Sequence, residues 1–260
     1  MKIVEHAELR KRVEALLLEG RSPENIAGRI TRKEKHLPSI SGDSIERFLK
    51  SVYGRKIESK RNKEKAKRKF RKKRTKVTQL KDRKFIDIRP SIINRRGRVG
   101  DVEADFIVSG RDGTGILLTV TDRKLRVSFI EQILTVTIVE VERTCLRIKK
   151  RYPEWITMTT DNDLLWQHHR RLEELLGITI YFCHPYHSWE KGSIENTNGV
   201  VRIDIPKGSD ISKYSKHFIR SIETKLNNRF MDCLGFATPQ EVLDAHRKRK
   251  NARQRREEKK

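Results

Sequence analysis

The sequence predicts an α/β catalytic domain with a small all-α domain before it. Residues 101–133 contain three short apolar-polar alternating runs separated by turn residues, which is typical of β-strands. Residues 136–182 alternate longer runs of helical periodicity with short apolar runs. Residues 8–52 repeat apolar residues at helical spacing throughout, so they favour helices alone.

Three short helices are predicted in residues 1–53. Gly20 ends the first helix, and Ser22 with Pro23 supplies an N-cap and a first helical residue for the second. The third helix, over 41–53, is predicted to bury its apolar residues and expose its polar ones: Ile45, Phe48, Leu49 and Val52 inward, Ser44, Arg47, Lys50 and Ser51 outward. This rhythm is compatible with a helix-turn-helix that contacts DNA through Arg47 and Lys50, and also with a plain three-helix packing unit.

Residues 54–84 are predicted to be a basic linker. Lys or Arg makes up 14 of the 22 residues of 55–76, so the segment cannot bury a core and should be a solvated chain that orders on nucleic acid. Four consecutive residues of this run are predicted DNA contacts: Arg71, Lys72, Lys73 and Arg74. The catalytic domain is then predicted over 85–246, followed by a basic tail over 247–260.

The catalytic domain begins with three predicted antiparallel strands, at 102–108, 115–121 and 125–133. A helix at 136–150, a strand at 155–160, a helix at 164–176 and a strand at 178–182 follow, and another helix starts at Ser188. Three antiparallel strands succeeded by alternating helix and strand are the order of the ribonuclease-H-like fold. The prediction is therefore a mixed five-stranded sheet with flanking helices.

The charge of the chain predicts a nucleic-acid partner. A net charge of +25 favours a polyanion, because neutralised phosphates release counterions, although charge alone leaves DNA and RNA undecided. No apolar run approaches the about 20 residues that cross a membrane, and the N-terminus lacks the apolar stretch of a signal peptide. Three scattered cysteines predict a reducing, cytoplasmic compartment, at the nucleoid if bacterial.

Cys183, His184 and His187 lie together in the sequence and could form a metal cluster. No second ligand pair has the spacing of a zinc site, so the sequence favours a buried thiol beside a loop.

Three carboxylates are predicted to converge on magnesium: Asp105 in the first strand, Asp161 just past the fourth, and Glu195 early in the helix after the last strand, with 33 residues between Asp161 and Glu195. Mg²⁺ takes oxygen ligands, and two-metal phosphoryl transfer needs carboxylates from different elements. Strand alternation makes Glu103 a rival of Asp105. Asp122 and Asp163 are further rivals, and Asp161 also fits the N-cap of the helix after it.

The helix from Ser188 is predicted to pack Trp189 on the sheet and to turn Glu190 to solvent. Its DNA-facing side is predicted to carry Lys191, Asn196, Asn198 and Arg202. The alternative is that Asn-Thr-Asn-Gly merely weakens or ends a helical turn.

Four blocks of the sequence resemble the catalytic core of insertion sequence 30 family transposases. They are residues 100–105, 118–124, 160–162 and 181–199, the last containing Trp-Glu-Lys-Gly-Ser-Ile-Glu-Asn-Thr-Asn-Gly. Residues 206–208 and 237–242 fit the same family, and 20–29 resemble its second helix-turn-helix region, whereas the first N-terminal helix-turn-helix has no counterpart.

The resemblance implies a magnesium enzyme, with manganese as a substitute, on a ribonuclease-H-like fold. Carried over by position, its aspartate-aspartate-glutamate triad falls on Asp105, Asp161 and Glu195. Family members bind the terminal inverted repeats of their element, cleave its ends and join them to target DNA, and such paired-end chemistry implies a homodimer or higher oligomer on DNA.

Two alternative functions stay open from the sequence. A truncated or decayed derivative would bind DNA without cutting it, and a ribonuclease-H-like nuclease would cut RNA–DNA hybrids.

Overall fold

The computed structural model describes residues 2–66, 80, 82–185 and 187–258. The chain forms two compact units. One comprises Met1–Thr75 with Asn228–Lys260, and the other comprises Lys76–Asn227. The predicted catalytic domain ended at 246, so the observed units divide the chain 19 residues earlier (246 against 227).

The first unit is all-α. Its helices are α1 (Lys2–Glu5), α2 (Ala7–Leu18), α3 (Pro23–Lys33), α4 (Gly42–Lys50), α5 (Arg55–Ala66) and α11 (Pro239–Glu257). The Ser22 side chain accepts a hydrogen bond from Asn25 N and Pro23 opens α3, as the sequence predicts. Apolar side chains of α1 to α4 form the core, and Phe230 joins it from the C-terminal segment. That packing explains why residues after 227 belong to this unit.

Two segments predicted to lack structure are helical. Residues 55–66, expected to be solvated linker, form α5, and the Arg61 guanidinium donates to the carbonyl oxygens of Leu17 and Arg21 at 2.8 Å each. The predicted basic tail continues α11 up to Glu257. Long-range hydrogen bonds and a capped helix start supply the order that composition alone does not reveal.

The third N-terminal helix is shorter than predicted. α4 ends at Lys50, with Ser51 as its C-cap, and Val52 is 81% exposed instead of buried. Ile45, Phe48 and Leu49 are buried as expected.

The second unit is built on one mixed five-stranded sheet in the order β3-β2-β1-β4-β5. The strands are β1 (Asp101–Val108), β2 (Ile116–Asp122), β3 (Ser128–Ile133), β4 (Thr157–Thr160) and β5 (Thr179–Phe182). β1 to β3 form an antiparallel meander, whereas β4 pairs parallel with β1 and with β5. This topology is the ribonuclease-H-like fold that the element order predicts.

Five helices flank the sheet: α6 (Ser91–Asn94), α7 (Ile138–Arg151), α8 (His169–Leu176), α9 (Gly192–Asp204) and α10 (Lys216–Asn227). α9 and α10 pack on one face, where Ile107, Val201 and Ile222 belong to one buried cluster. The helix predicted over 164–176 is interrupted: a 3-10 turn at Leu164–Trp166 precedes α8. Among the described residues, no helix is long and apolar enough to cross a membrane.

Candidate active site

Asp105 and Asp161 meet at one end of the sheet because their strands are parallel neighbours. β1 and β4 pair with Glu103 opposite Thr159, and two more residues along this register put position 105 beside position 161. Side chains on one face of a strand recur every two residues, so Glu103, Asp105 and Ile107 all face α9.

The ammonium group of Lys191, just before α9, lies between the two aspartates. Its Nζ is 3.1 Å from Asp105 Oδ1 and 3.4 Å from Asp161 Oδ2, and the Lys191 side chain is only 7% exposed. Burial lowers the pKa of Lys191, but the charges of Asp161 and Asp105 outweigh burial and raise it. The lysine is therefore a charged group in a cation position shared by two carboxylates.

Asp105 carries opposing electrostatic influences. Burial raises its pKa, the Lys191 charge lowers it, and the charge of Asp161 raises it, with the net direction upward. Two carboxylates this close repel each other, and the Lys191 ammonium between them offsets this repulsion.

A short network orients the Asp105 carboxylate. Asn198 of α9 donates from Nδ2 to Asp105 Oδ2 at 2.7 Å, while its Oδ1 accepts from the Thr119 hydroxyl at 2.8 Å. Thr119 lies opposite Asp105 in the β1–β2 register. Because Thr119 occupies the amide oxygen, the amide nitrogen remains for the carboxylate.

Glu195 lies on the same side of α9 as these contacts but does not reach them. Glu195 lies three residues before Asn198, so both are on one face of α9, and Lys191 contacts Asp105 from the 3-10 turn before that helix. The Glu195 side chain is exposed, and no hydrogen bond or ion pair joins it to another described residue. The structure thus brings Asp105 and Asp161 together, with Glu195 on the adjacent helix face.

An unpaired oxygen makes the aspartate pair suitable for a metal ion. Oδ1 of Asp161 is buried and accepts no hydrogen bond within the described part of the chain. A buried carboxylate oxygen that accepts no hydrogen bond costs free energy. Carboxylate oxygens are the ligands that hard divalent cations prefer. The residues present therefore fit a divalent metal.

The rival acids have structural roles. Glu103 is buried, pairs with Arg123, and accepts from Ile194 N at 2.8 Å in the first turn of α9, where the helix dipole favours a negative charge. Asp122 is buried in its turn and accepts hydrogen bonds from three backbone N–H groups and from the Tyr152 hydroxyl. Asp163, and not Asp161, caps the following 3-10 turn through Leu165 N.

The predicted DNA contacts divide into three groups. Asn196, Arg47 and Lys50 are exposed, and Arg202 donates to Val108 O at 2.9 Å from the side of α9. Lys191 and Asn198 instead contact Asp105, so they are turned into the site and away from the DNA-facing position predicted for them. The remaining four, Arg71, Lys72, Lys73 and Arg74, lie outside the described residues.

The segment that leads into α9 differs from the prediction. Trp189 is 71% exposed and stacks on His187, whereas Glu190 is half-buried and hydrogen-bonded to His184. Their predicted positions are therefore reversed, because a 3-10 turn at Ser188–Lys191 precedes α9 and shifts the helical phase. The spacing of Glu195 and Asn198 is a sequence signal that puts these two residues on one helix face, whereas no local signal assigns Lys191 to Asp105.

A ribonuclease-H-like sheet order with two aspartates at the ends of adjacent strands is an arrangement typical of metal-dependent enzymes that cut nucleic acid. The transposase of insertion sequence element IS4351 from Bacteroides fragilis is 35% identical over 237 residues, which are 90% of this chain and 72% of that protein. The transposase of element IS30A from Escherichia coli K12 is 30% identical over 154 residues, 58% of this chain and 40% of that protein. The chain belongs to the insertion sequence 30 family of transposases.

No protein-family model matches the chain. Among solved structures, the catalytic core of BIV integrase is 19% identical with a TM-score of 0.45, over 58% of this chain and 97% of that one. The strand order, and not this likeness, defines the fold.

Proposed function

We propose that the chain cleaves the ends of an insertion sequence and joins them to target DNA, with Asp105, Asp161 and Glu195 as the ligands of Mg²⁺, for which Mn²⁺ can substitute. The observation that carries this proposal is the cation position shared by Asp105 and Asp161, where Lys191 Nζ lies 3.1 and 3.4 Å from their oxygens. The unpaired Oδ1 of Asp161 supports it independently.

A metal ion held by these residues would supply activation of the attacking hydroxyl and stabilisation of the leaving oxygen of the phosphodiester. Asp105 and Asp161 supply oxygens from adjacent strands, and Asn198 keeps the Asp105 carboxylate in one orientation through its 2.7 Å hydrogen bond. Glu195 would complete the ligand set from α9, on the helix face that also carries Asn198, a partner of Asp105. The Lys191 ammonium would then move away from Asp105 and Asp161, since an ammonium and a divalent cation cannot both contact the same carboxylate oxygens.

DNA is the proposed partner along two surfaces. Asn196 is exposed on α9, Arg202 is partly exposed on the same helix, and Arg47 and Lys50 lie on the exposed side of α4. We propose that α2 to α4 act as a helix-turn-helix for the terminal inverted repeats, and that 55–76, including Arg71, Lys72, Lys73 and Arg74, adds phosphate contacts. Such a substrate implies the compartment of chromosomal DNA, the cytoplasm in bacteria.

Joining both ends of one element needs two sites close together, so we propose a homodimer or higher oligomer on DNA. Sedimentation of the full chain with and without end-containing duplex tests this. A complex with one chain per duplex at saturation contradicts the oligomer.

The catalytic assignment is tested with Glu195→Gln, which keeps the size of the side chain and removes its charge. We expect cleavage of a duplex carrying the element end to fall at least about 1,000-fold, equivalent to about 4 kcal/mol of activation free energy, with DNA affinity nearly unchanged. Glu174→Gln, an exposed glutamate of α8, is the matched control and should cleave normally.

Full activity of Glu195→Gln would remove Glu195 from the ligand set. Binding without cleavage by the unsubstituted chain, in both Mg²⁺ and Mn²⁺, would favour the binding-only derivative. Cleavage of RNA–DNA hybrid in preference to duplex would favour the nuclease.

A further inference from the structure

A second group of ligand atoms lies in the loop between β5 and α9. His184 Nδ1 is 3.0 Å and His187 Nδ1 is 3.2 Å from Oε1 of Glu190. One ligand atom from each of the three residues lies within 4.8 Å of the others. The group contains none of the proposed magnesium ligands.

These separations resemble the edges of a metal coordination shell. Zinc in proteins binds imidazole nitrogen and carboxylate oxygen at about 2.0–2.2 Å, so two ligands of a tetrahedral ion lie about 3.3 Å apart. Two edges of the His184–His187–Glu190 group measure 3.2 and 3.0 Å, so the group needs only a small expansion to hold an ion.

An outer carboxylate orients one of the histidines. The other ring nitrogen of His184, Nε2, lies 2.8 Å from Asp87 Oδ2, and Phe85 stacks on the ring with 5.3 Å between centroids. Metal-bound histidines usually donate their second ring N–H to a carboxylate, which fixes the tautomer and directs the free lone pair at the ion. Asp87 leaves Nδ1 of His184 for a metal.

We propose that His184, His187 and Glu190 bind one transition metal ion of the Zn²⁺ type, with the remaining coordination position open to water. Two imidazoles and one carboxylate suit Zn²⁺, whereas Mg²⁺ prefers oxygen donors, so this site and the aspartate pair select different ions. The site goes beyond the proposed function, and neither depends on the other.

Cys183 is not part of this ligand set, although it is adjacent in sequence. The Cys183 side chain is buried, and the ligand atoms that lie within 4.8 Å of one another belong to His184, His187 and Glu190. Glu190 is the third ligand because the 3-10 turn brings its carboxylate back to His184, whose backbone N–H donates to Glu190 Oε2 at 2.9 Å.

The bound ion would brace the segment that presents Lys191. Glu190 immediately precedes the lysine whose ammonium contacts Asp105, and His184 is the second residue after β5. An ion held by all three residues closes this loop and reduces the number of conformations open to it.

The test uses the full chain without a histidine tag, stripped with EDTA and then dialysed against ZnCl₂. We expect one zinc per chain by elemental analysis and a raised thermal unfolding midpoint with zinc. His187→Ala should weaken zinc binding at least about 100-fold and abolish the midpoint shift, and Asp87→Asn should weaken binding about 10-fold. His217→Ala, an exposed histidine of α10, is the control and should bind like the unsubstituted chain.

Asp161→Asn separates this proposal from the catalytic one, because it should lose cleavage and keep its zinc. No stoichiometric zinc, zinc retained at full affinity in His187→Ala, or zinc lost in Asp161→Asn would each overturn the site. Should circular dichroism show that His187→Ala does not fold, Glu190→Gln is the second variant, and its unchanged zinc affinity would overturn the site equally.

Discussion

Replacing Lys191 with Met tests whether the lysine ammonium occupies a position made for a metal ion. At 3.1 and 3.4 Å, each contact with Asp105 and Asp161 is worth about 5 kcal/mol of Coulomb energy at an effective dielectric constant of about 20. Burial of the ammonium offsets much of this gain, and removing one partner of a fully buried pair costs about 3–5 kcal/mol.

The aspartates are only partly buried, which reduces the cost. Their side chains are 22% and 44% exposed, so water screens the charges that Lys191→Met leaves unpaired. We therefore expect the free energy of unfolding in EDTA to fall by about 2 kcal/mol. Saturating Mg²⁺ should restore it, because an ion at 100 times its dissociation constant contributes about 2.7 kcal/mol. Urea unfolding of the full chain measures both quantities.

The unsubstituted chain should gain less from Mg²⁺ than Lys191→Met, since in it the metal must first displace the ammonium. Lys213→Met is the control, because that lysine is 81% exposed and 3.8 Å from its partner, and its unfolding free energy should change by less than about 0.5 kcal/mol. Equal stability of Lys191→Met and the unsubstituted chain in EDTA, or equal stabilisation of both by Mg²⁺, would refute the reasoning.

Three further results are expected. Asn198→Ala should slow cleavage about 10- to 100-fold at saturating DNA, because the Asp105 carboxylate loses the hydrogen bond that orients it. Asn196→Ala should weaken DNA binding in a gel-shift assay and leave the cleavage rate at saturating DNA unchanged. Identical effects of the two substitutions on binding and cleavage would contradict these separate roles. The hydrogen bond from Arg12 holds the pKa of Glu34 below its usual value, so Glu34 stabilises the first unit above about pH 4.3 and loses this contribution as the pH falls through its lowered folded pKa. Glu34→Gln should thus melt lower than the unsubstituted chain at pH 7 and alike in strong acid, and a difference that persists there speaks against the ion pair. DNA affinity should fall about 1,000-fold or more between 50 and 200 mM salt if the basic run 55–76 contacts about six phosphates, and a flat response places it outside the interface.

Local signals in the sequence predicted the parts of the fold that local physics decides. Ser22 and Pro23 start α3 where expected, since an N-cap needs only its own turn. The alternation of β1 put Glu103 and Asp105 on one face as expected, and the pairing of β1 with β4 then brings positions 105 and 161 together.

Features that depend on distant contacts were not predictable in this way. Phe230 was predicted to belong to the catalytic domain, but it belongs to the helical unit because it packs into a core formed by residues 3–49. Trp189 is exposed and Glu190 is half-buried, the reverse of the prediction, because both lie in a 3-10 turn and not in the predicted α-helix. The sequence signal for such a turn is weak. A lysine at position 191 is expected from its residue type to contact phosphate at the surface. Its ammonium instead lies between Asp105 and Asp161, an arrangement that depends on residues far apart in the sequence.

The most direct test of the central claim is an anomalous difference map from a crystal of the full chain soaked in Mn²⁺. We predict a peak in contact with carboxylate oxygens of both Asp105 and Asp161, with the Lys191 ammonium moved away from them. A map without that peak, in which Lys191 still joins the two aspartates at saturating Mn²⁺, would contradict a metal-dependent site at this end of the sheet.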